Sequence, residues 1–147
     1  MSTPANQRLY VQAALFCERV LTEEGGVVSL MRVVDTGELK LPRNFSFTPV
    51  VELEAVVMLK SEEPGTYRVE IIGQSPSGKK IEVGEPTVVT LPGNGGGFNI
   101  RVQMKFGVRE FGLSWFDVIA DGEVLTRMPL TLRRIEPSEP SSPKTSE

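Results

Sequence analysis

A strict alternation of apolar and polar side chains over residues 98–106 is the feature that most restricts what this chain can fold into. The polar positions are Asn99, Arg101, Gln103 and Lys105. A period of two places the two sets on opposite sides of a β-strand, whereas helical spacing would scatter both sets around a cylinder. The segment is therefore predicted to be a half-buried strand, and the side chains expected to face a core are Phe98, Ile100, Val102, Met104 and Phe106.

The same period recurs along most of the chain, between turns rich in Gly and Pro. In the predicted first strand one face is formed by Leu9, Val11, Ala13, Leu15 and Cys17. The strongest turn signal is Asp121-Gly122, which separates alternations at about 113–120 and 124–133. A type I′ hairpin turn needs positive φ at both central positions, and Asp-Gly satisfies that need. Together these patterns predict eight or nine strands and no amphipathic helix.

Strands this short must stack as two sheets or close into a barrel to cover their apolar faces. The predicted fold is therefore all-β, a two-sheet antiparallel β-sandwich of immunoglobulin-like or related Greek-key type. Residues 35–49 show no alternation and contain Pro42 and Pro49, so they are expected to cross from one sheet to the other. Residues 1–135 suffice for one domain. Residues 136–147 contain no apolar anchor and are predicted to form a disordered Pro/Ser/Glu tail.

The composition argues against the common catalytic chemistries. The chain has no histidine and a single cysteine, Cys17, which removes the Ser-His-Asp triad, the commonest zinc ligand and any internal disulfide. A lone cysteine within an apolar strand is typical of a core residue. The glycine-rich residues 92–97 precede a strand and lack the Lys-Ser/Thr of a phosphate loop. No enzymatic activity, cofactor or metal site is predicted.

Charge and hydropathy also narrow the partners. The net charge of −3 does not favour nucleic acid, and no apolar run approaches the roughly 20 residues that a membrane helix needs. The absence of disulfides and of a leader-like opening segment leads us to expect a cytoplasmic protein without nucleic-acid or membrane partners.

Trp115 is the centre of the candidate binding site. The stretch 110–119 parallels 63–72 as a turn, a strand and a turn, and this likeness turns Trp115 outward. Because successive strands are usually neighbours, the predicted binding residues are Trp115, Arg101, Lys105, Arg127 and Arg133. Trp and Arg are enriched at binding hot spots. Two alternatives remain: Leu113 and Ile119 share the parity of Trp115, which favours burial on both faces, and a register shifted by one residue would turn Trp115 inward.

Four stretches of turns, strand ends and core positions carry a family resemblance. The first two are Phe16-Cys17-Glu18 and the run from Gly25-Gly26 through Ser29-Leu30 to Val33-Val34-Asp35. The other two are the turn Pro64-Gly65-Thr66-Tyr67-Arg68 and the pair Asp121-Gly122-Glu123 with Met128-Pro129-Leu130. In these turns, strand ends and core positions the chain resembles a widespread bacterial family of short β-rich proteins of unassigned function. The resemblance implies a small bacterial β domain and carries over no activity and no site residues.

These observations predict a non-enzymatic protein-interaction or structural module of a bacterial cell, which docks a protein partner or a second copy through a sheet face or an edge strand. The alternative is a small-ligand domain that binds a glycan or an anionic metabolite with an exposed Trp/Arg face.

Overall fold

The computed structural model describes residues 9–34, 38–41 and 50–134. They form one short 3-10 helix, Glu24–Gly26, and ten strands: β1 (Leu9–Thr22), β2 (Val28–Val33), β3 (Glu38–Leu41), β4 (Val50–Ser61), β5 (Gly65–Gln74), β6 (Lys80–Glu82), β7 (Thr87–Leu91), β8 (Gly97–Gly107), β9 (Gly112–Ala120) and β10 (Glu123–Arg134). The predicted tail, residues 136–147, lies outside the described residues.

The strands make two sheets. Sheet A has the order β2-β1-β4-β8, and sheet B has the order β3-β10-β9-β5-β6, with β7 also paired to β5. Neighbours are antiparallel except β3 and β10, which run parallel. The series β1-β4-β8 and β10-β9-β5 follow strands A-B-E and G-F-C of an immunoglobulin sandwich. The predicted fold class, an all-β two-sheet sandwich, is confirmed.

Residues 35–49 were expected to cross from one sheet to the other, but the connection between β2 and β4 begins and ends in sheet A. It leaves sheet A after β2, supplies β3 to the edge of sheet B and returns to sheet A at β4. The strand β3 was not predicted, because its four residues are too few to show a period. It accounts for the tenth strand, and residues 35–37 and 42–49 of the crossing lie outside the described residues.

The main core fills the space between the sheets. Its largest fully buried side chain is Phe116 of β9, whose ring meets that of Phe16 edge-on with centroids 5.3 Å apart. The inward row of β5 makes room for this ring with a glycine: a Cβ at Gly73 would stand 2.7 Å from Phe116 Cε2. The packing of β5 against β9 therefore requires the smallest residue at this position.

Two β-bulges change which residues face the core. The first, between Val11 and Ala13, turns Phe16 inward and Cys17 outward, so the prediction that Leu9 through Cys17 share one face is wrong beyond Val11. The second lies between Val124 and Thr126 and leaves Val124 50% exposed, although it has the same parity as the buried Met128, Leu130 and Leu132. A bulge inserts one unpaired residue and so reverses the alternation beyond it. Phe98, which was predicted to face inward, is exposed at the rim of sheet A.

A second, smaller apolar cluster lies on the outer side of sheet A. It contains buried Cys17, Val20 and Val56, so the prediction of a buried cysteine is confirmed. Burial raises the pKa of the Cys17 thiol, with Glu54 adding to the shift. Beyond Cys17, β1 no longer pairs with β4, and side chains replace the lost ladder: the Val20 amide donates to Glu54 Oε2 at 3.0 Å, and Arg101 donates to Val20 O at 3.2 Å.

Candidate functional site

Trp115 lies on the outer face of sheet B. Its neighbours in β9, Ser114 and Phe116, are both buried towards the core, at 2% and 0% exposed. Because side chains alternate along a strand, Trp115 points away from the core, where its side chain is half-buried. The predicted outward orientation is therefore confirmed, and the one-residue register shift is ruled out.

The guanidinium group of Arg127 lies over the indole ring of Trp115. Arg127 of β10 is paired directly opposite Asp117 of β9. Its Nε donates to Asp117 Oδ1 at 2.8 Å, and its guanidinium carbon lies 4.5 Å from the centroid of the Trp115 ring. The carboxylate thus fixes the guanidinium plane over the aromatic face, where a cation–π attraction adds to the ion pair. The result is a rigid indole–guanidinium stack at the surface.

Apolar side chains lie on the same outer face, at different distances from this stack: Val88 is paired with Arg68, six residues along β5 from the partner of Trp115. Pro129 of β10 and Gln74 of β5 are the direct cross-strand neighbours of Trp115. Three exposed residues extend the apolar surface: Leu113 at 42%, Val124 at 50% and Val88 at 66% exposed. We define the Trp115 face as the outward apolar side chains of sheet B, which are Ile72, Val88, Leu113, Trp115, Ile119, Val124 and Pro129. Exposed apolar side chains grouped in this way are typical of interaction surfaces.

The structure brings together only part of the predicted site. Arg127 contacts Trp115 directly, and Arg133 lies on the same face of β10 at about 13 Å along the strand from the position opposite Trp115. Arg101 and Lys105 do not join them, because β8 pairs with β4 in sheet A. The assumption that three successive strands are neighbours is wrong here: the chain crosses from one sheet to the other between β8 and β9.

Sequence reasoning missed Ile72 and Val88 as members of the face, since only the pairing of β5 with β9 and β7 places them there. The shared parity of Leu113, Trp115 and Ile119 was a usable signal. It was interpreted as favouring burial, whereas Leu113 is exposed and the other two are half-buried.

Within residues 9–34, 38–41 and 50–134, no group of three His, Cys, Asp or Glu side chains stands close enough to hold a metal ion. Likewise, none of the described residues lies in a helix of the length and hydropathy needed to cross a bilayer.

Comparisons with known proteins give little beyond this geometry. No protein-family model matches the chain, and no curated protein matches it. Among solved structures it is similar to the Pseudomonas fluorescens alkylpurine DNA glycosylase AlkC bound to DNA containing an abasic site analog, at 13% identity and a TM-score of 0.48 over 86% of this chain. The chain spans 30% of the length of that protein. What this chain does is therefore inferred from its own residues.

Proposed function

We propose that this chain is a non-enzymatic protein-interaction module of a bacterial cell, and that it binds through the Trp115 face. The single observation that carries the proposal is the indole of Trp115, held rigid by Arg127 and Asp117 within a sheet face of exposed apolar side chains. A pre-ordered aromatic loses little side-chain entropy on binding, and Trp with Arg is the pair most enriched at interface hot spots.

The charges around the face favour a second copy of the chain as the partner. Three cations stand beside anions there: Arg127 by Asp117, Arg68 by Glu70 at 3.9 Å, and Lys80 by Glu82 at 3.7 Å. A surface that carries both signs close together can meet its own two-fold copy with opposite charges aligned, as an isologous interface requires.

The size of the face predicts a weak dimer. The nine residues of β9 extend about 30 Å, and four adjacent strands are about 19 Å wide. The area of the face is therefore about 600 Å². Stable complexes bury about 800 Å² on each partner. We therefore expect association in the micromolar range, which would be missed in dilute solution.

Sedimentation velocity over about 5 to 500 µM protein tests this expectation. The wild-type chain should shift from monomer to dimer within that range. The variant Val88→Lys with Leu113→Lys places two charges on the exposed part of the face and should weaken association at least tenfold, because each ammonium would have to be desolvated.

The matched control is Val27→Lys with Val50→Lys, two valines that are 61% and 53% exposed and lie away from the Trp115 face. It should dimerise like the wild type. A wild-type chain that stays monomeric throughout, or a control that loses association as strongly as the test variant, would contradict the proposal.

The alternative function, binding of a glycan or an anionic metabolite by an exposed Trp/Arg face, is weakened by the separation of Arg101 and Lys105 from Trp115. For this ligand-binding function, the feature that remains is the Trp115–Arg127 stack. The same proposal includes membership of the bacterial family that the sequence resembles, and a cytoplasmic location. The lone buried thiol of Cys17 supports a reducing compartment.

A further inference from the structure

A cleft opens at one end of the sandwich, between the two sheets. It lies where the β5–β6 turn, the end of β8 and the β8–β9 connection meet, and its volume is about 340 Å³. Small-molecule sites range over roughly 300–1,000 Å³. Its walls are apolar and are formed by Pro76, Ile81, Phe106, Val108 and Leu132. The cleft is thus built on core side chains rather than on loose surface groups.

The rim of this cleft is basic, although the whole chain carries a net charge of −3. Lys79, Lys80 and Arg109 line it, against one carboxylate, Glu110. Lys80 is paired with Glu82 in an exposed contact, which is worth little. Within the described ranges neither the Arg109 guanidinium nor the Lys79 ammonium makes a hydrogen bond or an ion pair. With three cations and one carboxylate, the residues that line the cleft carry a net charge of +2.

Glu110 is the one carboxylate among the residues that line the cleft, and its two oxygens accept hydrogen bonds from the β5–β6 turn. Ser77 donates to it twice, from its amide at 2.9 Å and from its hydroxyl at 2.6 Å. The Ser75 hydroxyl donates at 3.3 Å. These bonds, chiefly the one from the Ser77 hydroxyl, hold the pKa of Glu110 below its ordinary value. The charge of Lys79 also contributes to the lowered pKa of Glu110. The carboxylate therefore fixes one wall of the cleft and offsets part of its positive charge.

Ser114 supplies a directional polar group inside the cleft. It belongs to the inward row of β9, is only 2% exposed and lines the cleft. Its hydroxyl is not among the side-chain oxygens that are buried without a hydrogen-bond partner, which in the described residues are those of Ser61 and Tyr67. The Ser114 hydroxyl is therefore open to the cleft, where it can hydrogen-bond a group that enters.

We propose that this cleft binds a small organic anion, with its oxyanion group at Arg109 and Lys79 and its apolar body against Phe106 and Ile81. At about 30 Å³ per atom the cleft has room for about ten non-hydrogen atoms. A ligand of that size binds with a dissociation constant on the order of 1 mM or below. The cleft lies between the sheets and does not use the Trp115 face, so this proposal and the proposed function fail independently.

Phenylacetate and benzylphosphonate are suitable probes, since each joins an apolar ring to an oxyanion. Phenylacetamide has the same ring and no charge. In ¹H–¹⁵N NMR titrations of the full chain, at least one anion should shift the amides of residues 106–110 and 75–81 saturably. The amide probe should bind at least tenfold more weakly. The tighter of the two anions identifies the headgroup as carboxylate or phosphate.

The variant Lys79→Gln with Arg109→Gln should weaken binding of the tighter anion at least tenfold. Its matched control, Arg68→Gln with Lys105→Gln, removes one arginine and one lysine outside the cleft and should bind like the wild type. Equal binding of phenylacetamide, equal losses in the two variants, shifts centred elsewhere, or no saturable shift by either anion up to about 20 mM would each overturn the proposal. Sedimentation of the same variants reports on the Trp115 face separately.

Discussion

Arg127 and Asp117 determine what Trp115 can offer to a partner. An exposed arginine normally samples several rotamers, and ordering it on binding costs free energy. Here the cross-strand carboxylate holds Nε at 2.8 Å and so keeps the guanidinium over the indole at 4.5 Å. Both side chains remain partly exposed, at 47% for Arg127 and 27% for Asp117. The stack therefore adds modestly to stability, and its main consequence is a pre-ordered surface.

Replacing Arg127 with Ala is expected to lower the free energy of unfolding by about 1 kcal/mol, because the cation–π contact and an exposed ion pair are lost together. Arg68→Ala is the matched control: Arg68 faces Glu70 across a longer exposed contact of 3.9 Å and should cost less than about 0.5 kcal/mol. Urea unfolding followed by the emission of Trp115 measures both. Equal costs for the two substitutions would show that the stack contributes nothing.

At the scale of the element, the β5–β6 turn depends on a residue from another connection. Glu110, between β8 and β9, accepts three hydrogen bonds from Ser75 and Ser77, and Ser75 in turn accepts from the Lys79 amide at 3.0 Å. These contacts tie the turn of one hairpin to the crossing between the sheets. These hydrogen bonds favour the ionised form of Glu110, and its pKa lies below the ordinary value.

This dependence predicts a pH response. A carboxyl whose pKa is lower in the folded state stabilises that state fully above its ordinary pKa of about 4.3, and the contribution disappears as the pH falls through the lowered pKa. We therefore expect the Ser77 amide resonance to move in a step below about pH 4.3. Glu110→Gln should abolish the step, and Glu123→Gln, at an exposed site, should leave it unchanged. A step at higher pH, or one that persists in Glu110→Gln, would contradict the account.

The faces of individual strands could largely be predicted from the sequence, because alternation is a local property. The outward position of Arg127 follows from alternation in the last strand, whereas that of Trp115 was predicted from the likeness of residues 110–119 to 63–72. The positions of the bulges after Val11 and Val124 could not be predicted. One extra residue does not alter the kind of amino acids that make up a strand. Arg101 was assigned to the wrong sheet for a different reason: the pairing of β8 with β4 depends on contacts between residues far apart in the sequence.

At the scale of the whole molecule, the two sheets differ in what covers their outer sides. In sheet A an apolar cluster of Cys17, Val20 and Val56 packs on the outer side. The hydrogen bond from Arg101 to Glu54 stabilises it. In sheet B the corresponding side presents the Trp115 face, with Val88 and Leu113 exposed. The outer side of sheet B thus combines exposed apolar side chains with paired charges, and the proposed face-to-face association rests on this combination.

Trp115 is the single tryptophan of the chain, so its fluorescence reports on the proposed interface without labelling. Iodide quenching measured across about 1 to 500 µM protein is the most direct test of the central claim. Iodide should quench Trp115 at low protein concentration, and the quenching should decrease as the concentration rises. The variant Val88→Lys with Leu113→Lys should show no such decrease. Quenching of the wild-type protein that stays the same over the whole range would contradict it.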